Sequence, residues 1–138
     1  MFDPTVRVAP LVVVSRFRVP SERADRFATD ARAAIEILAG CSGFLRASLG
    51  QSTDETELRV IVTEWDQVGS YRRALSRYEV KAAAVPFLSH AIDEPSAYEI
   101  VHALTDGATT SSTSGLAADA DSIGLGQAAG PMVPPVTT

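Results

Sequence analysis

The sequence predicts an α+β fold of the ferredoxin-like type, with element order βαββαβ. Three observations predict it. Four short stretches are rich in β-branched and alternating apolar residues, as strands are. Two stretches carry apolar residues every three or four positions, as helices do, and they follow the first and third strand stretches. A polar run, residues 52–57 (STDETE), joins the second and third strand stretches as a hairpin loop would. The expected product is a four-stranded antiparallel sheet with helices on one face.

Taken in order, residues 1–10 read as a loose N-terminal arm. Residues 11–19, LVVVSRFRV, form the first strand, ended by Pro20. Val13, Ser15, Phe17 and Val19 share one face; Val12, Val14, Arg16 and Arg18 share the other. Ser21 is the expected cap of the first helix, with Glu22 at its positive end. Ala24, Phe27, Ala28, Ala31, Ala34, Ile35 and Leu38 make its apolar stripe, and Gly40 stops it. Residues 44–51 form the second strand and residues 58–65 the third. In the third, Leu58, Val60, Val62 and Glu64 face one way, and Arg59, Ile61, Thr63 and Trp65 the other. A short helix is expected over 67–76. A second helical segment is expected over 78–92, bent near Pro86, which cannot donate a helical hydrogen bond. Residues 97–104, AYEIVHAL, complete the domain at 11–104 as its fourth strand. From Thr105 to Thr138 the chain has no Lys, Arg or aromatic residue. That composition predicts a disordered tail of Gly, Ala, Ser, Thr and Pro.

The totals exclude several function classes. Net charge is -5, and the arginines are spread among acids, so a general nucleic-acid partner is not expected. No apolar run is long enough to span a bilayer, and the first residues lack signal-peptide character. The single cysteine, Cys41, fits a reducing, cytoplasmic location. One cysteine and two separated histidines give no metal pattern. Gly124, Gly126 and Gly130 have the wrong spacing for a dinucleotide loop, and no strand precedes them. The first and third strands are apolar on both faces, while the helices cover one. A second copy of the chain is the simplest cover for the other face, so a homodimer is expected.

The stretches VVVSRFRV, GFLRASL and LRVIVTEWDQVGSYRRALSRYEVKAA, with a helix between the first two and a final strand, resemble the antibiotic biosynthesis monooxygenase family over residues 10–104. The resemblance implies a dimeric α/β barrel with a pocket between sheet and helices. It implies polycyclic aromatics or quinols as substrates, or haem in one branch, and direct use of oxygen with no flavin or bound metal. No cofactor is therefore expected. The family tryptophan matches Trp65, which would stack on a flat substrate; otherwise it is a core residue closing the sheet–helix interface. Ser15 stands where the resemblance implies an asparagine, and the chain has no asparagine at all. It remains a candidate catalytic hydrogen-bond donor. Ala84 stands where the haem-degrading branch carries its histidine, and alanine has no ligand atom.

The other candidates come from residue type. His102, in the fourth strand, could serve as acid or base, and so could His90 near a helix end. Phe17, Tyr71, Phe87 and Tyr98 could line an aromatic pocket, or simply pack in a core. Arg46, like Arg16 and Arg18, could hold a phenolate or pair at the surface. Cys41 reads as a buried thiol. Two functions follow. One is a cofactor-independent monooxygenase for a small aromatic or quinol-like molecule. The other is a non-catalytic dimeric module that keeps the fold. The tail adds one small apolar patch, SIGLG from Ser122 through Gly126, of the kind that docks weakly to a partner.

Overall fold

The structure is a computed structural model, and it describes residues 7–116. The central sheet is built on β2 (Leu11–Arg18) and β4 (Leu58–Trp65), two strands paired antiparallel along their whole length. Strand β3 (Phe44–Gln51) joins the far side of β4, and β5 (Ala97–Glu99) joins the far side of β2. The order is β3-β4-β2-β5, all neighbours antiparallel. The alternation expected in β2 is kept. Leu11, Val13, Ser15 and Phe17 are buried; Val12, Val14 and Arg16 are half-buried and Arg18 is exposed.

The helices lie on the face that holds Leu11, Val13 and Phe17. Helix α1 (Ala24–Ala39) buries Phe27, Ala31, Ala34 and Leu38, one stripe at three- and four-residue spacing. It begins through a 3-10 turn, Ser21–Arg23, with no side-chain cap, so Ser21 does not play the expected capping role. Helix α2 (Val68–Ser76) buries Val68, Tyr71 and Ala74. The next helical segment departs from α geometry just ahead of Pro86, near the expected bend. It runs as a π turn, Val80–Ala84, and then as α3 (Val85–Leu88). The π turn closes with the Val85 N–H on the Val80 carbonyl, five residues back. All these buried side chains form one core with Ile61 and Trp65 of β4.

Three expectations change. The α/β barrel is not formed: the sheet is open, and its edge strands β3 and β5 do not meet. Four strands, one of them three residues long, are too few to curl closed. The expected fourth strand is split. Only β5 joins the main sheet, while β6 (His102–Thr105) enters a second sheet with β1 (Arg7–Val8) and β7 (Ala108–Thr113). Order also continues past Thr105. Asp106 and Gly107 have φ of 49° and 80°, and β6 pairs antiparallel with β7 around them. Asp-Gly is the residue pair that a tight hairpin with two positive φ values favours. Within the arm, β1 runs parallel to β7, and Ala9 is fully buried. The tail patch from Ser122 through Gly126 lies outside the described residues. Among the described residues, no helix is long and apolar enough to cross a membrane.

Candidate functional site

Trp65 is placed by the turn that follows it and the residues packed around that turn. It ends β4, where the alternation turns it to the helix face. The next residue, Asp66, donates its N–H to the Gly43 carbonyl at 2.9 Å. Gly43 has φ of 89°, and a side chain there would collide with Ser70 and Asp66. Ser70 Oγ donates to Asp66 Oδ1, and Arg73 donates to Ser70 Oγ at 3.2 Å. The turn before β3, the end of β4 and the start of α2 are thereby locked together, with the indole beneath them.

Around the indole lies the first aromatic cluster. Phe44 meets Trp65 edge-on, with ring centroids 5.4 Å apart at 87°. Tyr71, one turn into α2, is also 5.4 Å away, tilted by 50°. Trp65 Nε1 donates to Thr63 Oγ1 at 3.0 Å, two residues back on the same face. Trp65 is 0% exposed and Tyr71 1%. Among the described residues, the Tyr71 hydroxyl is the buried side-chain polar atom left without a hydrogen-bond partner. Burial pushes its pKa well above the ordinary phenol value, so it stays protonated and acts as a donor.

A second aromatic cluster occupies the other end of the same face. Phe17, Phe27 and Phe87 touch one another, with centroids 5.1 to 5.4 Å apart. It contains no polar side chain. Ser15, 4% exposed, sits on β2 two residues before Phe17, opposite Ile61 in the middle of β4.

The expected site residues therefore divide into groups. Trp65 and Tyr71 come together, and Ser15 faces the same interior. Phe17, buried, and Phe87, half-buried, lie there too, in the second cluster. Tyr98 does not join them: it lies on the open face of the sheet, half exposed, and donates to the Pro95 carbonyl at 3.0 Å. Arg46 is on the open face as well, paired with Glu64 at 3.1 Å. Arg16 forms a two-pronged bond with Glu94, both contacts at 2.7 Å. His102 stands exposed on the second sheet, away from the indole, because the fourth strand breaks before it. His90 is exposed too, and Cys41 is buried with its Sγ 3.7 Å from the Ile37 carbonyl. Thr63 and Phe44 were not singled out from the sequence. Thr63 had a signal, a hydroxyl on the apolar side of an alternating strand.

The family model for antibiotic biosynthesis monooxygenases matches residues 10–85. This chain belongs to the antibiotic biosynthesis monooxygenase family. Its fold is similar to that of SnoaB, a cofactor-independent oxygenase from Streptomyces nogalater, with a TM-score of 0.58 at 21% identity. That match covers 72% of this chain and 98% of SnoaB. A conserved protein from Methanosarcina mazei Go1 is similar at TM-score 0.55 and 21% identity, over 66% of this chain and 92% of that one. No curated protein matches in sequence. The family includes a haem-degrading branch, and the residues here do not fit haem iron. Ala84 is buried with only a methyl group to offer, and both histidines are exposed and outside the core. Among the described residues, no group of three His, Cys, Asp or Glu side chains could hold a metal.

Proposed function

We propose that this chain is a cofactor-independent monooxygenase for an electron-rich aromatic or quinol-like molecule, bound at the Trp65–Tyr71 end of the interior. The observation that carries this is the Tyr71 hydroxyl, buried without a partner beside an indole. An unmet buried donor costs roughly 1–3 kcal/mol. A substrate oxygen would meet it, while the aromatic rings supply a flat apolar surface. The protonated tyrosine donates to a phenolate oxygen and stabilises that anion. The electron-rich ring then reacts directly with oxygen. One oxygen atom enters the substrate, and the other leaves as water with two substrate hydrogens. Ser15 adds a second hydroxyl on the same face. His102 takes no part in this scheme because it stands outside the interior. Haem is not degraded, for want of an iron ligand.

Two copies of the chain would pair through the open sheet face. Val12, Val14, Leu58, Val60 and Val62 line that face half-buried, bordered by Arg16, Arg46 and Glu64. Light scattering tests this; a stable monomer at micromolar concentration contradicts it. The second reading, a non-catalytic module, is favoured by one observation: the indole is completely sealed in the described state. Oxygen uptake with a panel of anthrones and quinols separates the readings. Uptake that needs Tyr71 supports the enzyme. Ligand binding without uptake supports the module.

A further inference from the structure

A short strap, residues 114–116, lies just beyond β7. Ser114 Oγ donates to Glu99 Oε1 at 2.5 Å, and the Gly115 N–H donates to Glu99 Oε2 at 2.6 Å. Glu99, on β5, is the cross-strand neighbour of Leu11 on β2, and Leu11 is in turn opposite Trp65 on β4. Side chains opposite one another on antiparallel strands share a face, so Glu99 points to the helix side, in one row with Leu11 and Trp65. Gly115 reaches the first residue of α2. A Cβ placed on it would lie 3.4 Å from Val68 Cγ1 and 2.7 Å from Val8 Cγ1. Only a residue without a side chain allows so close an approach. The strap thus bridges the arm, the edge strand β5 and the start of α2, at the end of the sheet that holds the indole.

Just before it, β7 is tied to the arm, with the Ala9 N–H on the Thr113 carbonyl at 2.8 Å, while the strap itself is held by Glu99. Residues 114–116 are exposed, and so is most of the β6–β7 hairpin that carries them. Segments with few buried apolar contacts open at a small fraction of the global unfolding free energy. The neighbouring interior is the opposite case, with Trp65, Tyr71, Leu11 and Val68 all 2% exposed or less. We propose that residues 114–116 are a lid over the Trp65–Tyr71 end of the interior, latched by Glu99, and that its release admits the aromatic substrate. The substrate half of this statement rests on the reading of that end as the binding site; the lid itself does not.

The test reads the lid without any substrate. Trp65 is the chain's single tryptophan, so acrylamide quenching of its fluorescence reports access to that end. Full-length Glu99→Ala is expected to raise the quenching constant about threefold while the circular dichroism is unchanged, because a lid of small opening free energy loses both hydrogen bonds. Gly115→Val keeps the carboxylate but forces Val8 aside, and the same rise is expected. In a chain with Cys41→Ala, the pair Val8→Cys and Gly115→Cys should form a disulfide that holds quenching at or below the wild-type value, with the rise restored by reductant in a Glu99→Ala background. No rise in either Glu99→Ala or Gly115→Val overturns the lid, whatever the protein catalyses. A rise with no oxygen uptake on any phenol supports the lid and counts against catalysis alone.

Discussion

The two aromatic clusters stand on one face of one sheet, yet they are built differently. The Phe17–Phe27–Phe87 cluster joins β2, α1 and the segment after Pro86 by ring contact alone. The Phe44–Trp65–Tyr71 cluster contains two polar groups, of which one, the indole N–H, is satisfied by Thr63 and one, the tyrosine hydroxyl, is not. A core optimised for stability would carry phenylalanine at position 71. Departures from that rule concentrate where a protein does something besides fold. Under the proposed function, one end of the interior serves folding and the other recognition.

The largest effect expected is at the folding end. Phe17→Ala removes a ring that touches two others from a 2% exposed site, and it should cost about 3–5 kcal/mol in denaturant unfolding. A cost below about 1 kcal/mol would mean that this cluster is loosely packed and would break the contrast. Thr63→Val comes next. It keeps the shape but leaves the Trp65 N–H buried without an acceptor, and about 1–3 kcal/mol should be lost. The tryptophan emission should also shift, which the Phe17 variant would not cause while folded.

A smaller effect is expected on the open face, which serves as the control. The Arg16 guanidinium holds the Glu94 carboxyl below its usual range, through a direct hydrogen bond. A carboxylate whose folded pKa is depressed stabilises the fold fully above its unfolded value, about 4.3, and that contribution fades as pH falls through the lower folded value. Glu94→Gln should therefore melt slightly below wild type at pH 7, and the gap should close below about pH 4. Thermal melts across that range check it. Phenol oxidation should be unchanged, since this pair lies across the sheet from the interior; a loss would move the site.

Much of this was legible in the residues. The alternation in β2 and β4 assigned Phe17, Ser15 and Trp65 to the helix face, because strand period leaves no choice once one face is buried. The stripe in α1 and the irregularity near Pro86 were equally plain. The second sheet was not. Strand β7 is almost wholly polar and mostly exposed, so it carries no burial pattern, and only the Asp106-Gly107 pair marked the hairpin. Without that pair, His102 reads as part of the fourth strand of the main sheet. At the site, Tyr71 was visible as an aromatic on an apolar stripe. Its unpartnered hydroxyl was not, because hydrogen-bond satisfaction depends on what the fold brings within 3 Å of it. The lid was hidden for the same reason: Glu99 and Gly115 are brought together only by the turn beyond β6.

Tyr71→Phe tests the central claim most directly. Removing an unsatisfied buried hydroxyl should leave stability unchanged or raise it by up to about 1 kcal/mol, the smallest shift of the series. The same variant should lose most oxygen consumption on any anthrone or quinol that the wild type oxidises. A protein as stable as wild type and without activity is the result expected here. A Tyr71→Phe variant that is destabilised by more than about 1 kcal/mol, or that consumes oxygen at the wild-type rate, would contradict the account.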